Sequence, residues 1–254
     1  MILALDRIEV ESVGDDPKRL ARAVLAQLPD IAGPVPIEAI ARALDIEEIV
    51  ACDLESIEGC LQTDALKSRG QIVVNARSRP RRQRFTVAHE LGHFLNEAHR
   101  PRGRGFFCTA ADMASPVDQG VHARREREAN RFAIELLAPE RLIARDLRRL
   151  PDLARVSEIS DRLDLSREAA ARRYVELHEK ALAVVFTSNA EVRYAVAGEG
   201  CPKLTCRPGQ FIPDLEAYAG DAITDMADAD PRDWLAMPDG VTVSTQTLFQ
   251  QAGH

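Results

Sequence analysis

His89-Glu90-Leu91-Gly92-His93 is the stretch of this sequence with the plainest chemistry. Side chains four apart on a helix share one face, a turn apart, so two imidazoles at that spacing can grip one divalent ion. A glutamate next to the first imidazole cannot share that geometry well, but it can reach a water on the ion and take its proton. H-E-x-x-H therefore points to Zn2+ hydrolysis, with His89 and His93 as ligands and Glu90 as general base. A catalytic zinc has three protein ligands and one open position, so a third ligand must come from elsewhere.

Three residues compete for that place. Glu126 leads, because Glu126 and Asn130 stand four apart in EREANRFAIELLAP and share a helix face with Ala133 and Leu137. That arrangement offers a carboxylate ligand with a polar residue one turn on to orient the site. Glu128 is the second candidate, although it points roughly 200° around the helix from Glu126. His99 is the third, six residues after His93. That spacing fits the longer pattern H-E-x-x-H-x-x-G-x-x-H with Asn96 in place of Gly, and Asn tolerates the left-handed backbone such a turn needs. Met113 is a downstream methionine compatible with that second pattern. For the oxyanion that develops during hydrolysis, His122, His99 and Tyr174 are candidate donors.

These residues need elements to hold them. Phe85, Ala88, Leu91, Leu95 and Ala98 recur at three- and four-residue intervals, predicting a helix over about 82–98. Gly92 inside it costs up to about 1 kcal/mol relative to Ala, so close approach of a neighbouring backbone is expected there. A second helix is expected over about 123–138, stopped by Pro139. Upstream, 17–28 and 36–44 read as helices, with Pro36 opening the latter. Residues 45–52, 58–64 and 70–78 read as strands. The last precedes the motif and is a candidate edge strand for pairing with an extended substrate. Residues 99–121 read as a long loop.

Further on, 156–177 has helix-turn-helix character, with Ile159 and Leu163 in the first helix, Asp164-Leu165 in the turn and Ser166 capping the second. Ala169, Ala170, Arg173, Tyr174 and Leu177 fit its packing face, with Arg167 and Arg172 exposed. LAVVFT and VRYAVA read as a strand pair turning at SNAE, and GVTVST as a last strand.

Composition narrows the function classes. The 254 residues are 45% hydrophobic and 29% charged, as in a globular protein. A net charge of −7 argues against coating nucleic acid by bulk electrostatics. No apolar run reaches the roughly 20 residues that span a bilayer, and the N-terminus does not read as a signal peptide, so the expected place is the cytoplasm. Five scattered cysteines do not suggest a disulfide framework, and Cys201 and Cys206 form at most half a metal site. Arginines cluster at 79–84 and 99–105, either as solvated surface or as a rim that guides an acidic or extended substrate.

RFTVAHELGHFL followed by EREANRFAIELLAP resembles the ImmA/IrrE family of metallopeptidases, with support upstream from Gly59 and QIVVN. The family usually has Met where this chain has Ala138. The resemblance covers roughly residues 30–140 well. It implies two His and one Glu as ligands, favouring Glu126 over His99, and cleavage of a helix-turn-helix repressor that controls stress-response or mobile-element genes. The expected fold is α+β: a zincin-like domain with a small mixed sheet and active-site helices, a helix-turn-helix-like segment and a small α/β C-terminal module. The expected divisions are 1–29, 30–150, 151–180 and 181–254. The rival reading is a DNA-binding regulator whose zinc is structural or vestigial.

Overall fold

The computed structural model describes residues 3–101, 105–110, 120–212 and 222–250. The chain divides into two compact units, one of residues 1–142 with 162–166 and one of residues 143–161 with 167–254.

The first unit is α+β. Two short helices open it, α1 (Arg7–Glu11) and α2 (Pro17–Ala26). Asp6 and Asp16 cap them, each side chain accepting a hydrogen bond from a first-turn backbone N–H. Helix α3 (Ile37–Ala43) begins just after Pro36. A mixed sheet follows, built from β1 (Ile46–Cys52), β2 (Gly59–Thr63), β3 (Gly70–Asn75) and β4 (Gly105–Cys108). Its order is β1-β3-β2-β4, with β1 parallel to β3 and β2 antiparallel to both β3 and β4. β3 is therefore internal, which fits a strand whose residues are nearly all buried. The edge nearest the motif is β4, inside a stretch that reads as loop in the sequence. Four residues are too few for an alternation signal against a Gly- and Pro-rich background.

Helix α4 (Pro80–Leu95) carries the motif, with Pro80 in its first turn. Every residue from Thr86 to Leu95 is buried. One side lies on β2 and β3, and the other packs against α5 (Val121–Leu137), which α2 covers in turn. The close contact at Gly92 is with a side chain rather than a backbone. A Cβ there would lie 3.0 Å from Phe132 Cδ1 and 3.2 Å from Phe132 Cβ. Gly92 thus sets how near α5 comes to α4.

The end of α4 is held by a lysine. Lys67 Nζ donates to the carbonyls of His93 and Asn96, at 2.6 Å each. These are among the last-turn carbonyls that no helical N–H can reach. The loop that aims Lys67 is closed by Asp64, whose Oδ1 accepts from the backbone N–H of Leu66 and Ser68. Asn96 is extended, with φ −79° and ψ 106°, and makes no left-handed turn.

Of the arginines at 79–84, Arg81 and Arg84 pair with Asp164, at 3.1 Å each, and Arg82 with Glu58 at 3.5 Å. They are partly buried structural contacts more than a free rim. Arg102, Arg104 and Met113 lie outside the described residues.

The second unit begins within α6 (Glu140–Leu147) and includes most of α7 (Leu153–Leu163) and α8 (Arg167–Leu177). Asp164 takes φ +53° in the three-residue turn between α7 and α8. The buried face of α8 is Ala170, Ala171, Arg173, Tyr174 and Val175. Arg167 and Arg172 are half-buried rather than exposed, and Arg172 lies over the Tyr194 ring. A hairpin of β5 (Ala183–Ser188) and β6 (Glu191–Ala197) turns at Asn189 and Ala190, both at positive φ. Beyond it lie the short pairs β7 (Ala222–Ile223) with β10 (Leu248–Phe249) and β8 (Ala227–Ala229) with β9 (Val243–Thr245), and a one-turn helix α9 (Pro231–Trp234). Among the described residues no helix is long and apolar enough to cross a membrane.

Candidate active site

Three side chains from two helices converge between α4 and α5. His89 Nε2 lies 3.1 Å from His93 Nε2 and 3.2 Å from Glu126 Oε2, and His93 Nε2 lies 3.4 Å from Glu126 Oε1. All three residues are almost fully buried. A tetrahedral ion with bonds of 2.0–2.1 Å has ligand–ligand edges of about 3.3 Å. The three observed separations bracket that value.

The hydrogen bonds behind the imidazoles fix which nitrogens are free. His89 Nδ1 lies 3.0 Å from Asn130 Oδ1, an oxygen that only accepts, so Nδ1 carries the proton and Nε2 presents a lone pair. His99 Nε2 lies 2.8 Å from the Glu128 carboxylate and donates to it. Burial, with Lys67 and Arg125 nearby, holds the His99 imidazolium down to about 3. Neutral His99 therefore accepts at Nδ1, and His93 Nδ1, 3.0 Å away, donates. His93, whose imidazolium burial pushes down to about 3, also turns an Nε2 lone pair inward. Two imidazole nitrogens and a carboxylate converging this closely are donors that a divalent cation takes. The donor set fits a divalent metal with outer partners orienting each ligand.

The competing residues separate cleanly. Glu126 stands at the cluster. His99 is on the far side of His93, touching the nitrogen that faces away, and Glu128 lies one step further out, on His99. His99 and Glu128 are thus not placed to bind the same ion as His89 and His93. The reason is backbone geometry: without a left-handed residue at 96, the chain carries His99 past the ring rather than beneath it.

Glu90 is fully buried, and neither oxygen has a hydrogen-bond partner among the described residues. Burial pushes its carboxyl up to about 7, against the pull of His89 and the Cys108 thiol. An orphaned carboxylate in the core is costly, and one beside a candidate ion site is in the condition of a base awaiting its proton donor. It faces Gly59 of β2, where a Cβ would lie 3.3 Å from Glu90 Oε1.

Residues 47–174, half of the 254-residue chain, match the peptidase family described as the IrrE N-terminal-like domain. The chain belongs to this family. A 105-residue stretch of this IrrE-like chain is also 30% identical to a protein named radiation response metalloprotease IrrE, from Deinococcus radiodurans. The stretch covers 39% of this chain and 29% of that protein.

The IrrE-like site has members that sequence reasoning missed. Cys108, at the end of β4, joins His89, His93 and Glu126 in a buried group whose donor atoms all lie within 4.8 Å of one another and could hold a metal. A single cysteine in a loop-like stretch gives no spacing signal. Phe106, two residues earlier on the same strand face, stacks on the His93 ring at 4.7 Å. A cavity of about 300 Å³ opens beside Glu126, lined by Arg100, Phe106, Phe107, His122 and Arg125. His122 is half-exposed there, with Nδ1 3.5 Å from Glu126 Oε1. Tyr174 is instead buried against His178 in the second unit. Cys201 and Cys206 join no metal-holding group among the described residues.

Proposed function

We propose that this chain is a zinc-dependent endopeptidase, with His89, His93 and Glu126 as ligands and Glu90 as general base. The observation that carries the reading is the inward lone pairs of His89 and His93 beside Glu126, next to an orphaned, fully buried Glu90. When bound, zinc supplies Lewis-acid activation of water and of a peptide carbonyl. Glu90 takes the proton from the attacking water and returns it to the leaving amine, a role its elevated pKa suits. His122, on the cavity wall, is the donor we assign to the developing oxyanion. Among the described residues β4 is an edge of the sheet, and it borders the cavity and offers a backbone ladder for an extended peptide.

The substrate we propose is a helix-turn-helix transcriptional repressor, cleaved in the cytoplasm to release stress-response or mobile-element genes. Membership of the IrrE-like family and similarity to a protein named radiation response metalloprotease support a metallopeptidase with a part in stress response. The rival, a DNA-binding regulator with a structural zinc, needs ligands but no base. Zinc-loaded protein is incubated with helix-turn-helix proteins encoded beside its gene, and fragments are mapped by mass spectrometry. Glu90→Gln is expected to keep zinc and fold and lose cleavage. Full biological activity in that variant overturns the peptidase reading.

A further inference from the structure

We propose that Cys108 is a fourth protein ligand to the ion held by His89, His93 and Glu126, and that this closed site keeps the peptidase latent until the thiolate leaves. The inference rests on the metal site proposed above. Catalytic zinc sites keep one position open, whereas sites with four protein ligands are closed. Cys108 Sγ lies 3.8 Å from His93 Nε2, and its distances to the other donor atoms stay within 4.8 Å. A tetrahedron with one sulfur bond of 2.3 Å and one nitrogen bond of 2.0–2.1 Å has a sulfur–nitrogen edge of about 3.6 Å. The sulfur–His93 separation is within a few tenths of an ångström of that edge.

The thiol is held there by pairing. Cys108 sits opposite Gly59 in the β2–β4 register, and its carbonyl accepts from Glu58 N–H at 2.9 Å. Strand alternation sends Phe106 and Cys108 to the α4 face and Phe107 to solvent. The side chain is fully buried.

Two independent features point the same way. First, two neutral imidazoles and one carboxylate leave a buried divalent ion with an uncompensated positive charge, and one thiolate removes it. Second, Cys108 Sγ and the three donor atoms opposite it all belong to buried side chains, so the thiol faces the ion site and not solvent. Because Cys108 ends the edge strand, whatever shifts β4 also moves the fourth ligand.

Cobalt(II) chloride is loaded into the full-length metal-free protein. The expected wild-type spectrum has a thiolate-to-cobalt charge-transfer band in the near ultraviolet, kept in Cys52→Ser and lost in Cys108→Ser, which still shows the visible bands of bound cobalt. X-ray absorption of the zinc-loaded wild type needs no variant to fold, and is expected to show one sulfur at about 2.3 Å. Zinc-loaded Cys108→Ala is expected to cleave the repressor severalfold faster than wild type. A coordination shell of nitrogen and oxygen only, or a charge-transfer band that survives Cys108→Ser, overturns the proposal while leaving the peptidase reading intact. A Cys108-dependent band with no cleavage by Cys108→Ala leaves the ligand in place and overturns the peptidase reading and the latency with it. Equal rates for wild type and Cys108→Ala overturn the latency. Failure to bind cobalt or zinc overturns both readings.

Discussion

His93 Nδ1 lies 3.0 Å from His99 Nδ1, on the side of the ring opposite Glu126. Since His99 is fixed in turn by Glu128 at 2.8 Å, the ring that meets the proposed ion is the inner end of a three-residue chain. His99→Leu removes the acceptor for the His93 N–H and frees the ring to turn or change tautomer. Loss of such an outer partner typically costs about 10- to 100-fold in metal affinity. Chelator competition measures it, and Glu128→Gln, which spares His99, is expected to cost less.

Acid sensitivity follows from the same residues. His93 and His99 resist protonation in the fold until about pH 3, whereas unfolded histidines take protons below about 6.5. The unfolded state then binds more protons, so stability falls as pH drops through that window. Glu90 opposes this, holding a proton up to about 7 in the fold where its ordinary value is 4.5. Glu128, whose carboxyl burial also pushes up, adds a smaller opposing contribution, and the two histidines still leave a net loss between pH 6.5 and 4.5. The Tm of metal-free protein is expected to fall across that range, and to change much less in His99→Leu, where one histidine offsets Glu90.

Lys67 ties the loop after β2 to the end of the active-site helix through two carbonyls. Lys67→Met keeps the apolar stem but leaves the His93 carbonyl unmet, while the Asn96 carbonyl keeps the His99 N–H. Each buried unsatisfied group costs about 1–3 kcal/mol. Urea denaturation should show a loss of at least one such step, and amide exchange should show the last turn of α4 opening first.

Gly92 and Phe132 fix the spacing between the helix bearing the two histidines and the helix bearing Glu126. Gly92→Leu must push Phe132 aside. Overpacking of this kind costs about 1–3 kcal/mol, and the displaced α5 carries the carboxylate with it. Lower Tm together with weaker zinc binding is expected. Unchanged zinc affinity would show that α5 positions Glu126 independently of this contact.

Local geometry made much of this readable. The spacing of His89 and His93 places both rings on one face of α4, and the spacing of Glu126 and Asn130 does the same for α5, because 3.6 residues per turn is a property of the helix itself. Proline and apolar recurrence located both helices to within a few residues. The strands β1, β2 and β3 were visible in their apolar runs, and the Asn189–Ala190 turn in its flanking strands.

Tertiary contact decided the rest. Residues 99–108 follow His93 closely in sequence, yet only the fold determines that His99 passes behind the ring while Cys108 comes in front of it. That outcome depends on an extended Asn96 and on β4 pairing with a strand more than forty residues earlier. Lys67 reads as one charged loop residue until the end of α4 is laid over it. Helical periodicity is imposed by a repeating hydrogen bond between near neighbours, whereas strand pairing and helix-on-helix approach are set by side chains far apart in the chain.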